Sequence, residues 1–188
     1  LDVTTVLRRL KPILENPEIK KVGFDLKRTK HILQNYEIKF DPIDSDILLQ
    51  SYIVNSVATK HHLDEIIHHY LGLNITDLTE KLGKGKAKLK LNQLPVLDFF
   101  QYAAEKADYI YRLSLLLAHS LKSEGQLQGV YHYFERPLVE VLQRMERNGI
   151  KVDSQALNQQ SKELGAQLEE LQKEVFELAG EEFNLGSP

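Results

Sequence analysis

Apolar residues recur every three or four positions along most of this chain, which is the spacing of amphipathic helices. The pattern predicts helices over residues 4–16, 25–36, 45–56, 62–72, 76–82, 94–125, 129–149 and 154–180. The helix over 94–125 is long enough that we expect a break in it. Pro137 should end one helix or start the next. A Ser at 154 is expected to cap the last helix, and Gly72 and Gly180 fit helix C-termini.

Two short runs of apolar residues flank the second predicted helix. KKVGF (20–24) and EIKF (37–40) predict short strands on either side of it. A strand–helix–strand unit of this length implies a parallel pair with a right-handed crossover. Two strands do not form a stable parallel sheet alone, so a covering segment or a second chain is expected at the free edge of 20–24. IKVD (150–153) predicts a third short strand.

The composition excludes several classes of protein. The chain has 188 residues, of which 42% are hydrophobic and 27% charged, as in globular proteins. It has no run of 18 apolar residues, so no membrane span is expected, and residues 1–20 do not resemble a signal peptide. The absence of cysteine rules out disulfides and suits a reducing cytoplasm. A net charge of −3 does not indicate a nucleic-acid binder, although local basic patches are compatible with it.

Four histidines raise the question of a metal site: His61, His62, His68 and His69. His61 lies seven positions before His68, and His62 lies seven positions before His69. Seven residues span about 10 Å along a helix. Ligands of one metal lie roughly within 4 Å of each other, because each bond is about 2 Å long. The spacing therefore favours solvated or capping histidines and predicts no metal site here.

Two other stretches carry chemistry of interest. GKGKAKLK (83–90) combines four lysines with two glycines, so its side chains and backbone N–H groups could contact phosphates. It lacks the spacing of a P-loop, and a solvated surface loop is the alternative. YAAEKAD (102–108) places Tyr102 and Lys106 four positions apart on one helix face, a spacing that also occurs on many ordinary helices.

Taken in order, these stretches resemble bacterial DNA polymerase I of family A. The resemblance rests on VGFDLKRTKHIL, SDILLQSYIVNSVATKHHLDEIIHHYLG, LGKGKAKLKLNQLP, YAAEKAD, FERPLVEVLQRMERNGIKVD and AGEEFNLGSP. It implies that residues 1–122 are the C-terminal part of a 3′–5′ exonuclease domain, 123–128 a linker, and 129–188 the start of the polymerase domain. The implied fold is a predominantly helical α/β remnant. It is an incomplete ribonuclease H-like fold with two short parallel strands, followed by long helices. We expect the chain to be a piece of a longer protein.

The resemblance also implies where a proofreading site would lie. In that family, two divalent metals are held on four carboxylates, and two of these belong to a strand expected before Leu1. The third position is Thr29 here, at the end of DLKRT, and the fourth is Lys106. Tyr102, which orients the attacking water in active members, is retained. Asp108 is retained too, but it is not one of the four ligands.

A lysine at a ligand position opposes the binding of a metal. An ammonium group about 5 Å from a divalent cation is repelled by about 7 kcal/mol at an effective dielectric constant of about 20. Thr29 is neutral and offers at most one weak oxygen ligand. Asp25 lies one turn before Thr29 and could swing toward the site as a substitute ligand. The resemblance therefore predicts a degenerate site with no metal bound by this chain, while Mg²⁺ is expected at the polymerase site of the parent protein.

Three functions follow as alternatives. The first is a fragment of a DNA polymerase I whose exonuclease domain is a scaffold. Such a polymerase would act in replication and repair in the bacterial cytoplasm, at the nucleoid. The second is a nuclease with altered metal ligands, and the third is a non-enzymatic nucleic-acid-binding module. In the resemblance, Lys60, His61, Lys84 and Lys86 lie along the single-strand path, which predicts weak binding to DNA. The open edge of the strand at 20–24 predicts self-association.

Overall fold

The computed structural model describes residues 2–58, 60–83, 85 and 89–186. The chain divides into two compact units, Leu1–Asn148 and Gly149–Pro188, which are described separately. The first unit contains the strands β1 (Lys21–Gly23) and β2 (Ile43–Asp46) and the helices α1 (Val3–Leu14), α2 (Leu26–Gln34), α3 (Ile47–Val54), α4 (Leu63–Leu71), α5 (Thr79–Leu82), α6 (Val96–Ser123), α7 (Gly125–Val130) and α8 (Arg136–Asn148). The described residues are mainly helical and form one two-stranded parallel sheet, which confirms the predicted fold class.

The sheet joins β1 to β2 in parallel, with α2 as the crossover between them. Lys21 pairs with Ile43, and Gly23 pairs with Asp46. The first strand lies where the sequence predicts it. The second strand predicted over 37–40 is wrong, because the strand that pairs with β1 begins at Ile43.

The alternation of residues 37–40 has a different cause from strand pairing. Helix α2 ends at Gln34, and three residues later Glu37 has a left-handed backbone, with φ at 57°. Ile38 and Phe40 both bury their side chains in the core, although they form no ladder. Pro42 then follows, and its missing N–H prevents it from donating to a ladder. Alternating burial therefore occurs in a segment without strand pairing, which precedes β2.

Two hydrophobic clusters hold the first unit together. One consists of Leu26, Leu33, Ile38, Phe40, Ile43 and Val139, which joins α2 and β2 to α8. The other consists of Ile47, Ile66, Ile67, Leu113 and Leu117, which joins α3 and α4 to α6. Helix α6 runs unbroken for 28 residues, so the expected break is wrong. The helix contains neither Gly nor Pro, the usual causes of a break.

A π-helical turn, Tyr131–Glu135, connects α7 to α8 and buries Tyr131. The Tyr131 hydroxyl accepts a hydrogen bond from the backbone N–H of Asp46 at 2.9 Å and donates one to the carbonyl oxygen of Asp44 at 3.0 Å. Pro137 lies in the first turn of α8, where the sequence predicts that a helix could start. The turn thus attaches α7 and α8 to β2.

The second unit contains one long helix, α9 (Ser154–Ala179). Asp153, not the expected Ser154, caps it by accepting hydrogen bonds from the backbone N–H groups of Gln155 and Ala156, both at 3.0 Å. The strand predicted over 150–153 is wrong: this segment has no pairing partner among the described residues, and Ile150 is 90% exposed. Gly180 ends α9 with φ at 75°, as predicted.

In the described part of the chain, β1 pairs with β2 alone, so the other edge of β1 forms no hydrogen-bond ladder with a neighbouring strand. Helix α6 packs against both strands. The ammonium group of Lys21, on β1, donates hydrogen bonds to the carbonyl oxygens of Asn16 and Asp41, both at 2.6 Å. Self-association through the open edge of β1 stays a prediction. No helix in the described ranges combines the length and the hydropathy that a bilayer span requires.

Candidate functional site

Tyr102 and Lys106 lie together on α6, as the four-residue spacing predicts. The Lys106 ammonium group is 5.9 Å from the centroid of the Tyr102 ring, within the range of a cation–π contact. The ring of Phe99 lies 5.6 Å from the same tyrosine. Because α6 is continuous and is anchored in the second cluster by Leu113 and Leu117, both residues are fixed on one helical face.

Both side chains line a cavity of about 800 Å³ between α6, α4 and the segment around α5. Among the described residues that line it, the carboxylates are those of Asp64 and Asp77. Asp77 is already engaged, because it accepts hydrogen bonds from the hydroxyl and the backbone N–H of Thr79, and these bonds lower the pKa of Asp77. Among the described residues, no three His, Asp or Glu side chains are grouped in a way that could hold a metal.

Glu105, next to Lys106 in sequence, is engaged elsewhere. Its carboxylate accepts hydrogen bonds from the side-chain amide of Gln101 at 2.9 Å and from the backbone N–H of Thr76 at 2.7 Å. These bonds lower the pKa of Glu105, that from Gln101 having the largest effect. Glu105 therefore fastens the segment before α5 to α6, and it does not act as a ligand oriented toward the cavity.

Thr29 does not join Tyr102 and Lys106. It lies half-buried on α2, and its hydroxyl donates to the carbonyl oxygen of Asp25 at 3.4 Å. It is not among the described residues that line the cavity of Lys106. The structure therefore brings together two of the three positions that the sequence singled out for metal chemistry.

Asp25 is held away from the cavity of Lys106. Its backbone is left-handed, with φ at 56°, and its carboxylate caps α2 by accepting from the backbone N–H of Arg28. It lines a different cavity, of about 510 Å³, between α2, α3 and α8. These contacts oppose a role for Asp25 as a substitute ligand beside Lys106.

Of the four residues that the resemblance places along a single strand, Lys60 and His61 belong to the described part of the chain. Lys60 is largely exposed and lies 3.6 Å from a carboxylate oxygen of Glu65, a pair of the kind that contributes little at a surface. His61 Nδ1 is 3.0 Å from the Ser51 hydroxyl. Both Lys60 and His61 line a cavity of about 370 Å³. Lys84 and Lys86 lie outside the described residues.

Sequence reasoning missed Asp46, which organises the region around Thr29. Its carboxylate is buried and accepts hydrogen bonds from the backbone N–H groups of Leu26 at 2.8 Å, Asp25 at 3.1 Å and Leu48 at 3.1 Å. It therefore caps α3 and also holds the start of α2. An acid directly before an apolar helix is a recognisable N-cap signal, but the contact with α2 is not local in sequence.

The sequence model described as "DNA polymerase I, ribonuclease H-like domain" matches residues 2–113. The chain is 40% identical to DNA polymerase I of Pseudomonas aeruginosa, with a match that covers 100% of this chain and 21% of that protein. It is 38% identical to DNA polymerase I of Rhizobium leguminosarum, covering 97% of this chain and 18% of that protein. The chain thus spans about a fifth of the length of these curated relatives.

One solved structure shares the fold. It is described as the POL domain of Pol1 from M. smegmatis in complex with DNA primer-template and dNTP. The TM-score is 0.75, and the match covers 96% of this chain and 28% of that chain. At 23% sequence identity, this similarity concerns the fold alone.

Proposed function

Because this chain belongs to the DNA polymerase I family, we propose that it is part of a template-directed DNA polymerase of bacterial replication and repair. Family membership rests on the sequence model over residues 2–113 and on relatives that match the whole chain. Polymerisation would use palm carboxylates and Mg²⁺ outside this segment. The parent protein would act on DNA in the cytoplasm, at the nucleoid.

Within that protein, residues 1–122 would be the exonuclease-like domain, 123–128 the linker and 129–188 the start of the polymerase domain. The compact units divide later, after Asn148. The contacts of Tyr131 with Asp44 and Asp46 explain this difference, since they attach the start of the polymerase segment to the sheet of the exonuclease-like part. A boundary of function and a boundary of packing therefore need not coincide here.

We propose further that the exonuclease-like domain is a scaffold without proofreading activity. The observation that carries this proposal is the ammonium group of Lys106 beside Tyr102, in the cavity where family resemblance puts a metal ligand. Of the nearby acids, Glu105 and Asp77 are bonded elsewhere and Asp25 caps α2. Asp64 is the remaining carboxylate among the described residues that line the cavity, and a single carboxylate does not replace the ligands of a two-metal site. A cation in this position repels the two divalent ions that phosphodiester cleavage needs.

We expect no 3′–5′ exonuclease activity from this chain with either Mg²⁺ or Mn²⁺. A 5′-labelled single strand should keep its full length on a denaturing gel after incubation with the protein and either metal. Metal-dependent shortening that follows the protein through two different columns, and that Tyr102→Phe abolishes, would contradict the proposal. It would favour the alternative of a nuclease with altered ligands.

The matched control tests the charge at position 106 directly. A Lys106→Asp variant gains a carboxylate at this position and loses the cation, so it should bind Mn²⁺ more tightly than the unchanged chain. Electron paramagnetic resonance of free Mn²⁺ measures this difference without any need for catalysis. Equal Mn²⁺ binding by both proteins would show that Lys106 does not determine whether the site retains metal.

Weak binding of single-stranded DNA is the second expectation, because loss of metals would leave the lysines in place. Two to four phosphate contacts predict a log–log salt slope of about −1.5 to −3 and dissociation constants in the non-specific range of about 10⁻⁴–10⁻⁶ M. Fluorescence anisotropy with labelled oligo-dT from 20 to 200 mM salt measures both quantities. The Lys60→Ala/Lys84→Ala/Lys86→Ala variant should show weaker binding and a shallower slope.

A control variant that loses the same number of charges separates the effect of these three lysines from the effect of the overall charge, which is −3 in the unchanged chain. Lys122→Ala/Lys162→Ala/Lys173→Ala removes three exposed lysines from α6 and α9. It should bind more tightly than the Lys60, Lys84 and Lys86 variant. Identical curves for the two variants would mean that Lys60, Lys84 and Lys86 form an ordinary solvated surface.

A further inference from the structure

Leucine recurs every seven residues along α9. The four leucines with this spacing are Leu157, Leu164, Leu171 and Leu178. Three further residues lie between them, each four positions after one leucine and three before the next: Ser161, Leu168 and Val175. Alternating intervals of four and three residues are the pattern of a coiled coil, in which the leucines occupy position d of each heptad and the other three residues position a. We call these seven positions the α9 seam.

The apolar side chains of the α9 seam are exposed. No residue of α9 is buried, and the exposed fractions of its apolar seam residues range from 37% for Val175 to 83% for Leu178. Packing of an apolar face against a partner supplies most of the stability of a helix in water. A helix whose seam is exposed along its whole length therefore has room for a second helix on that side.

The charges of α9 indicate what kind of helix fits the α9 seam. Six of the seven charged side chains occupy positions b, c and f, away from the seam: Lys162, Glu163, Glu169, Glu170, Lys173 and Glu177. The flanking positions e and g contain one charge, that of Glu174. Their other residues are uncharged: Asn158, Gln160, Gly165, Gln167, Gln172 and Ala179.

A second helix of the same sequence brings no repulsion to these flanks. In a parallel pair, a side chain at position g lies beside position e of the next heptad in the other helix. Glu174 would therefore lie beside Ala179 of the second copy, and Gln167 beside Gln172, whose amide it can bind. Like charges beside a seam are a usual means of preventing self-pairing, and α9 has none in this arrangement.

We propose that the α9 seam binds the α9 seam of a second copy of this chain, in a parallel and in-register coiled coil of two strands. Leucine at position d favours two strands. In this register Ser161 meets Ser161 of the second copy, whereas an antiparallel pair would place its hydroxyl against leucine. A polar residue at a single a position specifies register in this way. The contact uses the same surface on both copies, so it closes as a dimer.

Sedimentation equilibrium of the full chain measures this association, and we expect a reversible equilibrium between monomer and dimer. Leu164→Ala/Leu171→Ala removes four leucine side chains from each dimer. It should raise the dissociation constant of the dimer by about 100-fold or more. Alanine is at least as good a helix former as leucine, so α9 itself should persist, which circular dichroism verifies.

Lys162→Ala/Glu169→Ala is the matched control. These two residues are also seven positions apart and lie on the same turns, but at position b, and their replacement leaves the net charge unchanged. The control variant should dimerise like the unchanged chain.

The relative direction of the two helices is measured with spin labels. The chain has no cysteine, so Gln159→Cys and Lys173→Cys each provide one labelling site, both at position f. A parallel, in-register dimer predicts the same distance between labels for the two variants in double electron–electron resonance. In an antiparallel pair centred on the α9 seam, the two distances would differ, because residues 159 and 173 lie unequally far from its middle.

The inference goes beyond the proposed polymerase function and is tested independently of it. A dimer that the leucine variant loses and the control retains, with equal label distances, supports the inference. A monomer at all concentrations would overturn it and leave the α9 seam to a helix of another sequence. A dimer that both variants retain would also overturn it, and would favour association through the open edge of β1. Unequal label distances would contradict the parallel arrangement.

Discussion

Replacing Asp46 with alanine should lower the free energy of unfolding by about 2–4 kcal/mol. The Asp46 carboxylate is 2% exposed and accepts three backbone hydrogen bonds, from Asp25, Leu26 and Leu48. Alanine would leave these N–H groups without their partner at the starts of α2 and α3. Urea unfolding followed by tyrosine fluorescence measures the effect in the first unit, since the chain has no tryptophan and all eight tyrosines precede residue 149.

Asp44→Ala is the control for this prediction. Asp44 belongs to the same strand, but its side chain is more exposed and pairs with Lys20 at 3.3 Å, a contact of the kind that contributes little. Its carbonyl oxygen, which Tyr131 contacts, is unaffected by the substitution. We expect a change within about 0.5 kcal/mol for Asp44→Ala. Equal destabilisation by both variants would contradict the role given to the Asp46 carboxylate.

The ionisation of Asp46 gives the same experiment a pH dependence. Burial raises the pKa of Asp46, against the opposing effect of the hydrogen bonds from Leu26, Asp25 and Leu48. A folded-state pKa above the unfolded value means that the folded protein favours the protonated acid. That contribution is fully present below the unfolded pKa and is lost as the pH rises through the folded pKa. Lowering the pH from 7 toward 3.8 should therefore stabilise the unchanged protein relative to Asp46→Asn, whose amide does not titrate.

The helices of this chain were predictable because their signals are local. Apolar spacing, Gly72 and Gly180 as C-terminal residues and Pro137 in a first turn all depend on neighbours within one or two turns. The second strand was misplaced for the opposite reason. Burial of Ile38 and Phe40 produces the alternation of a strand, whereas pairing with β1 is a long-range contact that only the segment from Ile43 makes.

The residues of the candidate site show the same difference between local signals, which the sequence reveals, and long-range contacts, which it does not. The approach of Tyr102 and Lys106 follows from a spacing of four on a continuous helix. The position of Asp25 does not follow from sequence spacing, because its left-handed backbone and its role as a helix cap turn it toward another cavity. Sequence spacing also does not predict that His61 Nε2 lacks a hydrogen-bond partner among the described residues, since this depends on how α3 and α4 pack around the ring. Sequence spacing indicates which side chains share an element, and burial decides what each of them can bind.

Replacing Leu117 with alanine should cost about 2–5 kcal/mol of stability, the range found for large-to-small changes in a core. Leu117 is fully buried in the second cluster and packs there with Ile47, Ile67 and Leu113. Leu115→Ala is the matched control on the same helix, because Leu115 is 59% exposed and the change in helix propensity is identical. Urea unfolding followed by tyrosine fluorescence compares the two variants.

The difference between these two leucines also bears on the site, because the second cluster anchors the helix that carries Tyr102 and Lys106. Leu117→Ala should therefore speed amide exchange along α6 from the residues around Leu113 toward Tyr102, and Leu115→Ala should not. Hydrogen exchange measured by mass spectrometry gives this comparison under native conditions. Equal loss of stability in both variants, or exchange that changes equally, would mean that α6 is held by its own helical hydrogen bonds and not by packing on α3 and α4.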